Sequence, residues 1–296
     1  STDSRLKEQA AGAGFHRSRN PNSRPVAMRV ILRYCLPGSL LLWAGAGFAQ
    51  RTAERLTPVE IQATPIAAFD PSDPSARRFG DLEFRGGLVL NSPQNFFGGF
   101  SALRVQKDGS RFIALSDLGS WLRGRIRYSG NRPAAIADAV MAPVLTAEGK
   151  PKGRLDTESM TEDGKVLYVG LERRNQILRF EYGKKGLLAP GIPIAVPSAV
   201  DALPNNQGLE ALVFVPKKRP LAGTLIAISE QGLDEEGNIK GFLIGGPKPG
   251  VFAVRRTNGY DISDAALLPG GDLLVLERKY APLTGVSMRI RRIPLD

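Results

Sequence analysis

Acidic side chains recur along this chain at matching places in a repeated pattern, and they carry most of the chemistry the sequence can offer. A polar or acidic residue, a short apolar strand, a turn, a second apolar strand and an acid follow one another from Ser101, Glu158, Glu210 and Asp264, with starts 57, 52 and 54 residues apart. If each first strand begins at one end of a common axis, Glu158, Glu210 and Asp264 lie on successive repeats, with Ser101 in the equivalent place on the first. The second strands end on Asp117, Glu172, Glu230 and Glu277. Carboxylates brought within a few Å repel unless they share a cation, and hard oxygen ligands suit Ca²⁺ or Mg²⁺. Asp117, Glu158, Glu210, Glu230, Asp264 and Glu277 are therefore the candidate metal ligands, with calcium the expected ion. A divalent ion held there could grip a phosphate or polarise an ester carbonyl and activate water, with Glu158, Glu210 and Glu172 as catalytic candidates. Arg173 and Arg278 directly follow two of these acids, and their planar donors could hold an anionic group of the substrate.

Other chemistry is excluded. His16 is the only histidine and Cys35 the only cysteine, and both precede the point where the mature chain is expected to start. A Ser-His-Asp triad, a histidine nucleophile and histidine-ligated zinc are then impossible. No G-x-S-x-G elbow, phosphate loop of the G-x-x-x-x-G-K-[ST] type or G-x-G-x-x-G fingerprint occurs. The competing reading of the acids is structural: at fixed places in a repeat they can bond backbone amides of a neighbouring strand and only lock the fold. Arg173 and Arg278 read equally as partners of adjacent acids. Trp121, just after the Asp117 turn, reads as a packing plug, and residues 231–238, with their alternating acids, as an exposed turn lacking the bidentate Glu of a calcium loop.

The elements that would position these groups are hairpins. Their turns are Lys107-Asp108-Gly109, Glu162-Asp163-Gly164, the longer run from Pro216 to Gly223, and Pro269-Gly270-Gly271-Asp272. Asp-Gly steps supply the positive φ of a tight hairpin. A hairpin period near fifty residues is what a propeller blade needs. The expected fold is all-β, a β-propeller of about five to six four-stranded blades. A sandwich would not explain the spacing, and 33 Gly with 22 Pro disfavour helical repeats. Gln176–Tyr182, Gly250–Arg256 and Met288–Leu295 are expected as further strands, and Asp81–Leu90 as a strand bent at Gly86-Gly87.

Residues 1–27 are polar and basic and read as a disordered leader or mis-assigned start. From Met28 to Ala49 a basic start, an apolar run too short to span a bilayer and a small-residue end form an export signal, with cleavage expected between Ala49 and Gln50. Residues 50–78, rich in proline, read as an extended lead-in, and 79–296 as the propeller. The net charge is +11, but losing residues 1–49 removes seven of the 40 Lys/Arg and two of the 29 Asp/Glu and leaves +6. That is no nucleic-acid footprint. The expected product is a periplasmic or secreted monomer, without a transmembrane segment in its mature form and without disulfides.

The strings FRGGLVL, FGGFSALRV, LSDLGSW, MAPVL, LERRNQILRF, NQGLEAL and GGDLLVLERKY, in this order, resemble the family of secreted proteins described by an esterase-like activity of phytase. The resemblance runs from about Phe79 to the end. It implies an exported bacterial β-propeller and, by its repeated positions, draws attention to Asp117, Glu158, Glu172, Arg173, Glu210, Glu230, Glu277 and Arg278. Family members continue past a segment like MRIRRIPLD, so the resemblance implies a propeller incomplete at its C-terminus. Two functions stand: a metal-assisted hydrolase of small phosphate or carboxylic esters, and a non-catalytic propeller that presents loops to a ligand or another envelope protein.

Overall fold

The computed structural model describes residues 56–295 apart from 152, 205 and 206. The expected leader, export signal and cleavage site, with His16 and Cys35, lie outside the described residues. Blade 1 holds β6 (Phe100–Val105), β7 (Arg111–Ser116), β8 (Ser120–Ser129) and β9 (Arg132–Pro143), and β1 (Thr57–Pro58) pairs along the far side of β9. Blade 2 is β10 (Thr157–Asp163), β11 (Val166–Leu171), β12 (Gln176–Phe180) and β13 (Gly191–Pro193). Blade 3 is β14 (Leu209–Phe214), β15 (Thr224–Leu233), β16 (Ile239–Gly245) and β17 (Gly250–Val254). Blade 4 is β18 (Asp261–Leu267), β19 (Leu273–Ala281) and β20 (Gly285–Ile293). Every pairing inside a blade is antiparallel, in chain order. This is a β-propeller with the first strand of each blade innermost, β6 beside β10, β10 beside β14 and β14 beside β18.

Four blade sheets stand among the described residues, where five to six were expected. Several stretches build no blade of their own. The long hairpin of β8 and β9 spends 10 and 12 residues on two strands. The segment before β6 forms only short pairs. β2 (Gln62–Pro65) joins β5 (Leu88–Asn91), and β3 (Arg78–Phe79) joins β4 (Leu82–Glu83). The expected strand over Asp81–Leu90 is thus two strands with different partners, parted at Gly86, whose φ of 152° few other residues adopt.

Alternation of side chains explains how the blades stack. Each middle strand is apolar on both faces because each face meets another layer. In β7, Ile113 and Leu115 enter the core between blades 1 and 2, while Phe112 and Ala114 turn to a second core shared with Val59 of the lead-in. In β15, Leu225 and Ala227 pack toward blade 2, and Ile226 and Ile228 toward blade 4. Trp121 is buried in the first of these cores, edge-on to Phe180 with centroids 5.3 Å apart. It therefore packs two blades together and forms no substrate platform. No helix among the described residues is long and apolar enough to cross a membrane.

Candidate functional site

A backbone irregularity recurs where each innermost strand begins. The ladder skips one residue in every blade: Ser101 between Phe100 and Ala102, Glu158 between Thr157 and Ser159, Glu210 between Leu209 and Ala211, and Ser263 between Ile262 and Asp264. Such a bulge re-aims a side chain that would otherwise follow the pleat. Beside each bulge the pairing of first and second strands runs out, and the second-strand residue just past the pair that precedes the bulge is Asp117, Glu172 or Glu230, while in blade 4 it is Arg278, which still pairs with Asp261. Three of these end residues are tied by backbone bonds, Asp117 N–H to Gly99, Glu172 N–H to Asp156 and Glu230 N–H to Gly208, at 2.8–3.0 Å.

These positions bring five carboxylates together. One oxygen from each of Asp156, Glu158 and Glu172 can lie within 4.8 Å of the others, and so can one from each of Glu172, Glu210 and Glu230. Glu172 belongs to both triads and joins them. Asp156 was missed in the sequence because it precedes its strand. It sits two residues before the bulge, at φ 55°, a left-handed conformation that Asp tolerates. Asp261 holds the same offset in blade 4, where it bonds Gln231 Nε2 at 2.7 Å and Arg256 at 2.7 Å.

Burial and mutual repulsion set the electrostatics. Burial foremost, then the neighbouring charges of Glu230, Glu158 and Glu172, push Glu210 up to about 8. Glu158 is pushed up to about 7, chiefly by burial, with Glu172, Asp156 and Asp117 adding to it and a hydrogen bond from Ser101 opposing it. Glu172 is raised by burial and by Glu230, against a hydrogen bond from the Gly208 amide. Glu230 is raised by burial, partly offset by Arg278. Among the described residues no Lys or Arg lies within ion-pair distance of Glu158, Glu172 or Glu210. Arginines instead ring the rim: Arg173 on Asp156 at 2.6 Å, Arg154 near Asp156 and Asp117 at 3.7 and 3.9 Å, and Arg278 near Glu230 at 3.5 Å. Their side chains are more than half exposed.

The structure separates two of the sequence candidates from this cluster. Glu277 is not at the mouth. It pairs with Ile262 one step inside the strand end, is fully buried, and binds Arg289 and Arg291, each at 2.7 Å. Asp264 lies one residue past the bulge, its carboxylate taking the Ala265 N–H at 2.7 Å and facing Arg104 deeper in the channel. Asp117 is at the rim with Arg154. Glu158, Glu172, Glu210 and Glu230 come together, and Arg173 and Arg278 flank them.

Gly208 is the hinge of this arrangement, since its N–H serves Glu172 and its carbonyl the Glu230 amide. A Cβ there would meet the Glu172 carbonyl oxygen at 2.7 Å. Gly208→Ala is expected to lower unfolding free energy by about 1–3 kcal/mol, the usual cost of overpacking, and urea denaturation checks it.

The fold and site define a propeller with an acidic, arginine-rimmed mouth. Residues 95–296, more than half of the chain, match the phytase-like family described as Esterase-like activity of phytase, and the chain belongs to that family. No curated protein matches it. Among solved structures it is similar to U3-55K, at 14% identity over 66% of this chain and 53% of that one, with a TM-score of 0.36. It is also similar to the WD40 repeats of RRP9, at 12% identity over 79% and 56%, with a TM-score of 0.35. The chain spans just over half the length of each.

Proposed function

We propose that this protein is an exported, monomeric hydrolase of small phosphate or carboxylic esters that uses a divalent cation, with calcium the best-suited ion, at the acidic mouth. The observation that carries the reading is the convergence of carboxylates from two blades, two of them with no Lys or Arg within ion-pair distance among the described residues and raised to about 7 and 8. Such a donor set is all oxygen and anionic, which fits a hard cation. Of the two triads, Glu172, Glu210 and Glu230 are the better ligands, because in the absence of substrate Arg173 holds Asp156 of the other at 2.6 Å while Arg278 stands off from Glu230 at 3.5 Å.

A cation bound there would polarise the phosphoryl or carbonyl oxygen and acidify the attacking water. Glu158, at the edge of that triad and held by the Ser101 hydroxyl, takes the proton from the water as general base. Arg173 and Arg278 turn from Asp156 and Glu230 to the anionic group of the substrate and orient it. Asp117 and Arg154 close the rim on the blade 1 side.

Hydrolysis of p-nitrophenyl phosphate and p-nitrophenyl acetate, with calcium and after chelation, tests the reading. Turnover should need the cation and fall at least about a hundredfold in Glu158→Gln, the range for loss of a general base. Arg173→Gln and Arg278→Gln should each raise KM for the phosphate ester about tenfold, as expected for one charged contact, and leave KM for the neutral acetate unchanged. Turnover that persists after chelation, or in Glu158→Gln, would overturn it.

A further inference from the structure

We infer that the cleft between blades 1 and 2, at the opposite end of the strands from the acidic mouth, is a second ligand site, for a small molecule carrying two or more phosphate-like oxyanion groups. The cleft has a volume of about 400 Å³, within the range of small-molecule sites. Its wall follows from strand register. Across β6, β7 and β8 one row of side chains is Arg104, Ile113 and Arg123, and the next row on the same face is Gln106, Arg111 and Arg125. One row further in, the same face carries Ala102, Leu115 and Trp121 of the inter-blade core. The face therefore changes from apolar to basic where the cleft opens.

Four guanidiniums line the cleft with two carboxylates, Asp138 and Glu162, and Asp264 of blade 4 acts on Arg104 alone. Asp138 is held by Arg125 in a close ion pair, and Glu162 of blade 2 faces Arg104. Arg104 is itself committed, donating to the carbonyls of Leu103 at 2.8 Å and Leu212 at 3.3 Å. Arg111 and Arg123 make no ion pair among the described residues, although Arg111 is near enough to Asp108 to help lower that acid. Arg111 stands directly opposite Arg125 in the ladder; like charges so placed destabilise a sheet, and Asp138 balances only Arg125. Guanidinium forks match phosphate oxygens in pairs. Ile113 and Leu167 give an apolar floor, and Tyr182 of blade 2 supplies a phenol at the edge.

The full chain, titrated calorimetrically with pyrophosphate in divalent-free buffer at low salt, tests this. One saturable event is expected, weakened about tenfold or more in Arg111→Gln and again in Arg123→Gln, the loss of one charge-assisted contact each. Glu162→Gln should tighten it by removing a competing carboxylate, and a binding gain cannot come from a misfolded variant. Arg173→Gln with Arg278→Gln, at the mouth, should leave it unchanged, and citrate should bind more weakly than pyrophosphate. Absence of a saturable event, unchanged affinity in the cleft variants, or loss of binding in the mouth variant would each overturn the inference.

Discussion

Calcium at a hundred times its dissociation constant is expected to raise the melting temperature at pH 7 by about 5–10 °C, from a ligand stabilisation of about 2.7 kcal/mol and roughly 2–4 °C per kcal/mol for a domain of this size. It should also release protons. At pH 7 the metal-free protein holds Glu210, raised to about 8, largely protonated and Glu158, raised to about 7, about half so. A cation needs ionised ligands, so binding must expel what they hold. Calorimetry in two buffers of different ionisation enthalpy reads that release directly. Without metal the sign is set by the same shifts. Both acids have folded pKa values above their ordinary value of 4.5, so their favourable contribution is complete below that value and is lost as pH rises through about 7 and 8. The metal-free protein should melt lower at pH 9 than at pH 5. Glu210→Gln should flatten that slope, melt at least as high as the wild type without metal at pH 9, and lose the calcium shift. Acids that merely lock backbone amides would give the reverse: lower melting in the variant at every pH and no calcium response in either protein.

The hairpin repeat was legible because its signals are local. Asp-Gly turns and period-two apolar runs state where strands start and stop, and Leu167, Val169 and Leu171 or Ile226 and Ile228 fall on the faces that alternation assigns them. The number of blades was less legible, since residues 57–91 have strand-like composition but pair with each other or along blade 1. At the site, the acids of blades 2 and 3 were found because the bulged residue there is itself acidic. Blade 4 misled the reading by one position. Aligning repeats on acids selects Asp264 and Glu277, whereas the backbone bulges at Ser263 and the second-strand position beside the bulge is taken by Arg278. Side-chain type cannot reveal which residue a ladder skips. Asp156 was hidden for a related reason, lying before the strand in a left-handed turn that no alternation marks.

Glu277 offers the sharpest contrast with the mouth. Removing its carboxylate is expected to cost about 3–5 kcal/mol, the penalty for breaking a buried ion pair from one side, while calcium should still raise the melting temperature as in the wild type. The reason is its setting inside blade 4. Glu277 has no exposed surface and accepts from Arg289 Nε and Arg291 on β20, the strand next to it. Arg289 is fixed besides by Thr257, through its carbonyl at 3.2 Å and its hydroxyl at 2.6 Å, and lies 4.2 Å from the Tyr260 ring centroid. Glu277→Ala would leave two positive charges without their acid, one of them held in place by these contacts with only 28% of its side chain exposed. Glu277→Gln, which keeps the shape and can still accept from one arginine, should cost less than the alanine change. The mouth variants should behave oppositely, since Glu210→Gln removes a repelled charge whereas Glu277→Ala removes a repaid one. Urea denaturation of the three variants with and without calcium reads the difference. A Glu277→Ala protein as stable as the wild type but blind to calcium would return this residue to the mouth.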